Sequence, residues 1–149
     1  MRASIQKLSL VLVAIMVVGL VLAGLVFVKA FDAWQLATRA GNEAATVQNL
    51  KTIAAVEAQY FYSHRRTFGT FEQLVNEQML SSRFAGNPVT VDGYVLTLTL
   101  TSEPPAFVIT ATPVNKATGS KHFYLDSVSR EIHVNSEKPA GPNDPVMKK

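Results

Sequence analysis

The run Leu8–Val28, LSLVLVAIMVVGLVLAGLVFV, decides how this chain is built, because it contains 21 residues without a single charge. As an α-helix it is roughly 31 Å long, close to the hydrocarbon thickness of a bilayer, and a helix satisfies its own backbone in lipid. The run predicts a transmembrane helix over residues 8–28, with the lipid bilayer as its partner. We take its anchoring side chains to be Leu8, Leu12, Ile15, Val18, Leu22, Val26 and Val28.

The charges beside this run predict its orientation. Arg2 and Lys7 precede it without any acid, whereas basic and acidic residues mix after it. Because positive flanks tend to stay inside, we expect residues 1–7 in the cytoplasm and the remainder outside the cytoplasmic membrane. Phe31 and Trp34 follow the run, where aromatic side chains favour the membrane interface.

A cleaved signal peptide is the alternative, because Val28-Lys29-Ala30 offers residues that a signal peptidase accepts. The apolar run is longer than the usual core of about 7–15 residues, which favours a retained anchor. Within it, Gly19 and Ala23 form a small-xxx-small pattern that lets helices approach closely. These two residues are the candidate helix–helix contact for self-association.

Charge and cysteine content exclude several functions. The formal charge is +3, but from Ala30 onward 11 basic residues balance 11 acidic ones. The excess therefore flanks the apolar run, and we expect no specific binding of nucleic acid. The only basic-aromatic cluster, around Arg65-Arg66, neutralises too few phosphates to bind firmly by charge. The absence of Cys excludes disulfides, thiolate zinc sites and Cys nucleophiles.

Residues 29–62 predict an amphipathic helical continuation of the anchor. Its composition favours helix, and its apolar stripe is interrupted in the middle by Glu57. Gly41-Asn42-Glu43 is a candidate break, with Asn42 capping a second helix and Glu43 at its positive end; without a break, one helix runs through Tyr62. The stripe consists of Val47, Leu50, Ile53, Ala54, Tyr60 and Phe61.

Residues 63–135 predict an α+β head. Thr70 and Gln73 form a capping box for a short helix, and Ser81–Asp92 is interpreted as a loop. Alternating patterns then predict a four-stranded antiparallel sheet. One face, with Leu96, Leu98, Phe107 and Ile109, is expected to cover the amphipathic helix, and the Thr-rich face, with Thr97 and Thr99, to meet water. Residues 136–149 are expected to form a flexible tail. The predicted strands are Tyr94–Thr101, Ala106–Thr112, Lys121–Leu125 and Arg130–Val134.

No constellation in the sequence indicates chemistry. His122 and His133 lie on neighbouring predicted strands, but a metal site would need a further ligand such as Glu131 or Asp126. No nucleophile motif surrounds the serines, and the glycines do not form a phosphate loop. We therefore expect no catalytic residues, no bound metal and no cofactor.

The order of elements resembles a type IV pilin, in which an apolar N-terminal helix continues into a helix packed on a four-stranded antiparallel sheet. The similarity spans most of residues 1–135. It is carried by Asn49-Leu50-Lys51-Thr52-Ile53, Ala58-Gln59-Tyr60, Phe68-Gly69-Thr70-Phe71 with Leu74, Gly93-Tyr94-Val95-Leu96-Thr97-Leu98, Phe107-Val108-Ile109-Thr110-Ala111-Thr112-Pro113 and Phe123-Tyr124-Leu125-Asp126 with Ile132.

The segment before the apolar run departs from that family. Pilins of this kind carry a Gly-Phe-x-x-x-Glu processing signature there, and a peptidase cuts after the Gly. This chain has MRASIQK instead, and neither Gly19 nor Gly24 is followed by Glu at the required spacing. The resemblance thus implies a pilin-like head on an uncleaved anchor.

The expected function is that of a non-catalytic bacterial envelope protein, anchored in the inner membrane and resembling a pilin or pseudopilin. The resemblance implies assembly with itself or with other pilin-like subunits. A single-pass protein with an accessory or ligand-binding head and no filament role is the alternative. A secreted domain released at Ala30 is the third reading.

Overall fold

The computed structural model describes the backbone of residues 2–148 and the side chains of residues 12 and 15–148. The predictions made for the side chains of Arg2, Lys7 and Leu8 lie outside these described residues. The chain divides into two compact units after Ala37, and each unit is considered by itself.

A single helix, α1, spans Arg2–Ser63 and passes through Gly41 without interruption. The candidate break at Gly41-Asn42-Glu43 is therefore absent. Glycine in a helix interior costs only about 1 kcal/mol relative to alanine. Two side chains that were expected to cap a second helix instead contact the loop before the fourth strand: Asn42 donates to the carbonyl of Thr118, and Glu43 accepts from Ser120.

The second helix, α2, spans Phe71–Asn76, and its predicted capping box is confirmed. The backbone N–H of Gln73 donates to Thr70 Oγ1 at 3.2 Å, and the backbone N–H of Thr70 donates to Gln73 Oε1 at 2.8 Å. Both bonds satisfy donors that a helix start leaves without partners. Leu74 is the fully buried residue of this helix.

Replacing Thr70 by Ala is expected to lower the free energy of unfolding of the head by about 1 kcal/mol. The substitution removes the side-chain acceptor for Gln73 N–H but no buried contact, because Thr70 is exposed. Urea unfolding of the full chain in detergent measures the change. Ser81→Ala serves as the control, because Ser81 is exposed and its side chain makes no capping hydrogen bond. An equal loss in both variants would contradict the capping role.

The sheet has five antiparallel strands in the order β1-β2-β3-β4-β5, rather than the four predicted. The second to fifth strands correspond to the predicted ones, and each strand begins and ends within two residues of its predicted position. The strands are β1 (Val89–Val91), β2 (Tyr94–Ser102), β3 (Pro105–Pro113), β4 (His122–Asp126) and β5 (Ile132–Asn135).

The additional strand β1 corrects the interpretation of Ser81–Asp92 as a loop, which also contains a 3-10 turn at Ser82–Phe84. Its three residues are too few for an alternating pattern to stand out. The missed signal is Asp92-Gly93, because both residues have positive φ angles, of 51° and 75°. Such pairs favour the tight turn of a two-residue hairpin, and Val91 indeed pairs with Tyr94.

The core lies between the sheet and the part of α1 that follows Ala37. The predicted inward face of β2 and β3 is confirmed, since Leu96, Phe107 and Ile109 are buried while Thr97 and Thr99 are exposed. On α1 the buried stripe comprises Val47, Leu50, Ile53 and Tyr60. Apolar burial at this scale is the main term that stabilises a small head.

The tail carries more contacts than its composition predicts. The N–H of Val134 donates to the carbonyl of Pro145 at 2.9 Å, and the N–H of Met147 donates to the carbonyl of Ile132 at 2.7 Å. His133 and Val146 form an isolated antiparallel bridge. These bonds cover the outer edge of β5, which would otherwise expose unpaired backbone groups.

Candidate membrane anchor and head surface

The apolar part of α1 is exposed along the residues whose side chains are described. Among the described residues, one helix is long and apolar enough to cross a membrane, with a mean hydropathy of 2.2 over its most apolar window and none of that window buried. Such side chains exposed in a continuous surface mark a contact with lipid or protein. The described anchor residues are all exposed: Leu12, Ile15, Val18, Leu22, Val26 and Val28.

Gly19 and Ala23 lie one helical turn apart on this exposed segment. A Cβ added to Gly19 would meet nothing within 4 Å, so no described part of the chain uses the space that the glycine leaves. Small residues at this spacing let a second helix approach closely in lipid. Just beyond the apolar run, the rings of Phe31 and Trp34 lie 6.0 Å apart, and both are exposed.

In the head, Glu43 joins α1 to the loop that precedes β4. Its Oε2 lies 2.9 Å from Lys121 Nζ, and its Oε1 accepts from Ser120 N at 3.0 Å and Ser120 Oγ at 2.9 Å. Burial alone would raise the pKa of Glu43, but the hydrogen bonds from Lys121 and Ser120 outweigh it and hold the pKa below its ordinary value. Glu43 is therefore an ionised bridge between helix and sheet.

A second polar junction connects α1 to the 3-10 turn before β1 and to the β1–β2 turn, and it was not predicted. Asn49, almost fully buried, donates from Nδ2 to Asp92 Oδ2 at 2.8 Å and accepts from Arg83 Nη2 at 2.6 Å. Arg83 also lies 3.5 Å from Asp92. Because the partners are 34 and 43 positions from Asn49, no local pattern in the sequence could have indicated this junction.

Tyr94 fixes the start of β2 against the loop before β4. Its ring is fully buried, its hydroxyl donates to the carbonyl of Lys121 at 3.0 Å, and burial raises its pKa to about 12. A Cβ added to Gly119 would collide with the ring and hydroxyl of Tyr94. Gly119 is therefore required by close packing.

Replacing Gly119 by Ala is expected to destabilise the head by about 2 kcal/mol, since added volume in a packed site forces its neighbours aside. Thermal unfolding of the full chain in detergent measures the loss. Gly141→Ala is the matched control, because a Cβ there would meet only Asp144 at 3.9 Å. Equal melting temperatures for the two variants would contradict the packing argument.

Glu57, which interrupts the predicted apolar stripe, is completely buried. Its Oε2 accepts from the backbone N–H of Gly69 at 2.9 Å, while its Oε1 has no hydrogen-bond partner among the described residues. Burial raises the pKa of Glu57 to about 7, against a smaller opposing effect of the Gly69 N–H. A carboxyl in this environment changes charge near neutral pH.

Between Glu57 and the surface lie three further ionisable side chains, those of Tyr60, His64 and Glu77. The ring of His64 stacks on the ring of Tyr60 with centroids 3.8 Å apart, and His64 Nε2 lies 3.1 Å from Glu77. Burial raises the pKa of Tyr60, and the charges of Glu77 and Glu57 raise it further. Arg65 and Arg66 follow in the exposed turn after α1, both with positive φ.

The residues considered for metal binding and catalysis have other partners. His122 Nδ1 lies 3.4 Å from Thr112 Oγ1, and His133 Nδ1 lies 2.7 Å from the carbonyl of Asp144. Among the described residues, no group of three or more His, Cys, Asp or Glu side chains is arranged to hold a metal. Ser127 Oγ accepts from the backbone N–H of Phe107, and Ser129 Oγ accepts from the backbone N–H of Glu131.

A groove follows one side of α1, with the β4–β5 hairpin and the tail as its other wall. One cavity of about 220 Å³ lies against Ala54, Ala58 and Phe61, with Phe107 and Val128 opposite. A second cavity of about 310 Å³ lies against Val47 and Lys51, with Ile132 and Met147 opposite. Arg130 lines both cavities. We call this surface the α1–β5 groove.

Scans against protein-family models, curated proteins and solved structures found no match to this chain.

Proposed function

We propose that this chain is a non-catalytic protein of the bacterial envelope that resembles a type IV pilin or pseudopilin. It is anchored in the inner membrane by residues 8–28, with its N-terminus in the cytoplasm and its head outside. It acts by holding the head at the membrane and by assembling through helix and sheet surfaces. The observation that carries the proposal is the apolar segment of α1, whose described side chains are all exposed.

The head supports a role in assembly or display rather than in catalysis. Two polar side chains of α1, Glu43 and Asn49, fasten the helix to the loops beside the sheet. Gly19 and Ala23 offer a surface for a second apolar helix, because the space beside Gly19 is open. Other pilin-like subunits or further copies of this chain are the partners of this proposal.

A single-pass protein whose head binds a ligand, without a filament role, is the second candidate. The α1–β5 groove favours it, because the head has an apolar cleft that its own chain leaves open.

Mass spectrometry of the membrane fraction distinguishes a retained anchor from a cleaved one, and shearing of cells distinguishes a filament subunit from a single-pass protein without a filament role. We expect the full-length mass in membranes and, for the pilin-like role, a sheared high-molecular-weight fraction. Loss of about thirty residues, as cleavage at Ala30 requires, would contradict the anchor. Full-length protein without a sheared fraction would refute assembly and support the second candidate.

Paired substitutions test the helix contact within that experiment. Gly19→Ile with Ala23→Ile is expected to reduce the sheared fraction, because it fills the close-approach surface. Gly24→Ile is the matched control, since Gly24 is equally open but lies on a different side of the helix. A sheared fraction that both variants leave unchanged would contradict contact through Gly19 and Ala23.

A further inference from the structure

The α1–β5 groove is an open, mainly apolar feature of the head that the anchor does not explain. It runs beside α1 from Val47 to Tyr62, about 22 Å at the rise of an α-helix. Tyr62 and Val128 flank its far end and are 82% and 87% exposed. Large apolar side chains exposed this fully beside a cleft are typical of an interaction surface.

The groove has a cationic rim. Lys51, Arg130 and Lys148 line it, against one carboxylate, Glu131. Within the described part of the chain, none of the three cations forms an ion pair. Since charged groups at interfaces are arranged to complement the partner's potential, the segment that fits this rim is acidic.

Because the tail covers the outer edge of β5, the partner segment cannot bind there as an added strand. A partner strand would need free backbone groups on β5, but Val134 N–H and the Ile132 carbonyl are bonded to the tail. What remains is a channel alongside α1 with one cavity on each side of Arg130. An apolar cavity of about 150 Å³ accommodates a benzene-sized group, so each cavity accommodates one large apolar side chain.

We propose that the α1–β5 groove docks an acidic amphipathic helix of a partner protein. Two apolar side chains, about two turns apart, enter the two cavities, and carboxylates between them pair with Arg130 and Lys51. This is the helix-in-groove mode of recognition, in which apolar anchors give affinity and rim charges select the partner.

The test uses the full chain in phosphatidylcholine nanodiscs and two fluorescent 18-residue peptides. Both have Leu at the anchor positions, two turns apart; one has Glu at the flanking positions and the other Lys. Fluorescence anisotropy is expected to show that the Glu peptide binds at least about tenfold more tightly than the Lys peptide, which corresponds to at least about 1.4 kcal/mol.

Two variants locate the binding. Arg130→Glu is expected to weaken the Glu peptide at least about tenfold and to strengthen the Lys peptide. Ala58→Trp, which fills one cavity, is expected to weaken both peptides. Arg66→Glu is the matched control, because Arg66 is exposed and does not line the groove. Circular dichroism confirms that each variant is folded.

Three results would overturn the proposal. The first is absence of binding by the Glu peptide to the wild-type chain, and the second is equal binding of the two peptides. The third is protection of the groove by phosphatidylserine nanodiscs, measured by hydrogen exchange, without peptide binding. That last result would assign the surface to anionic lipid instead.

Discussion

Arginine at both Val18 and Leu22 is expected to move this protein out of the membrane fraction. Each arginine at the centre of a transmembrane helix costs about 2.5–3.5 kcal/mol of insertion free energy, so the pair costs about 5–7 kcal/mol. Both side chains are exposed in the structure, and nothing in the described part of the chain would shield the added charges. Extraction of membranes with alkaline carbonate, followed by immunoblotting, measures the shift.

The matched control places the same two charges further along the same helix. Leu36 and Thr52 are both exposed but lie after the apolar run. Leu36→Arg with Thr52→Arg is therefore expected to remain in the carbonate-resistant pellet with the wild-type chain. Retention of the Val18→Arg, Leu22→Arg variant in that pellet would contradict the assignment of residues 8–28 as the anchor.

The head is expected to lose stability as the pH rises through the range in which Glu57 ionises. The folded state raises the pKa of Glu57 from 4.5 to about 7, so the folded head binds this proton more tightly than the unfolded chain does. The protonated Glu57 therefore adds to the free energy of unfolding of the head. This stabilisation is fully present below about pH 4.5, decreases as the pH rises, and is gone above about pH 7. The shift corresponds to about 3 kcal/mol of unfolding free energy.

Glu57→Gln isolates this contribution because glutamine resembles the protonated carboxyl and still accepts from Gly69 N–H. Urea unfolding of the full chain in detergent, followed by near-ultraviolet circular dichroism between pH 4 and 8, compares the variants. The wild-type curve is expected to fall relative to that of Glu57→Gln, which lacks this titration. Glu103→Gln is the control, since Glu103 is exposed and forms no ion pair with the described residues. Identical pH profiles for wild type and Glu57→Gln would contradict the buried, protonated carboxyl.

Local patterns in the sequence predicted the elements whose causes are local. The uncharged run of residues 8–28 predicted a membrane-length helix, and the alternation of Leu96 and Leu98 with Thr97 and Thr99 predicted the two faces of β2. Thr70 and Gln73 predicted a helix start, because both capping bonds form within four residues. In each case the pattern lies within the element that it predicts.

The features that the sequence did not reveal depend on contacts between distant residues. Three residues of β1 carry too little pattern, although Asp92-Gly93 marked the turn. The interruption at Glu57 was visible, but its burial depends on Gly69 in a later loop. The junction of Asn49 with Arg83 and Asp92, and the α1–β5 groove, exist only once the helix has packed on the sheet.

Labelling of single cysteines tests the anchored topology most directly, because residues 1–149 contain no Cys. The probe is a membrane-impermeant maleimide, applied to cells with a permeabilised outer membrane. The variants are Leu22→Cys in the apolar run and Ala117→Cys, whose side chain is exposed on the head and does not line the α1–β5 groove. We predict that Ala117→Cys is labelled in these cells and that Leu22→Cys reacts only after denaturation in detergent. Labelling of Leu22→Cys in intact membranes, or protection of Ala117→Cys until the cells are lysed, would contradict an embedded helix that holds the head outside.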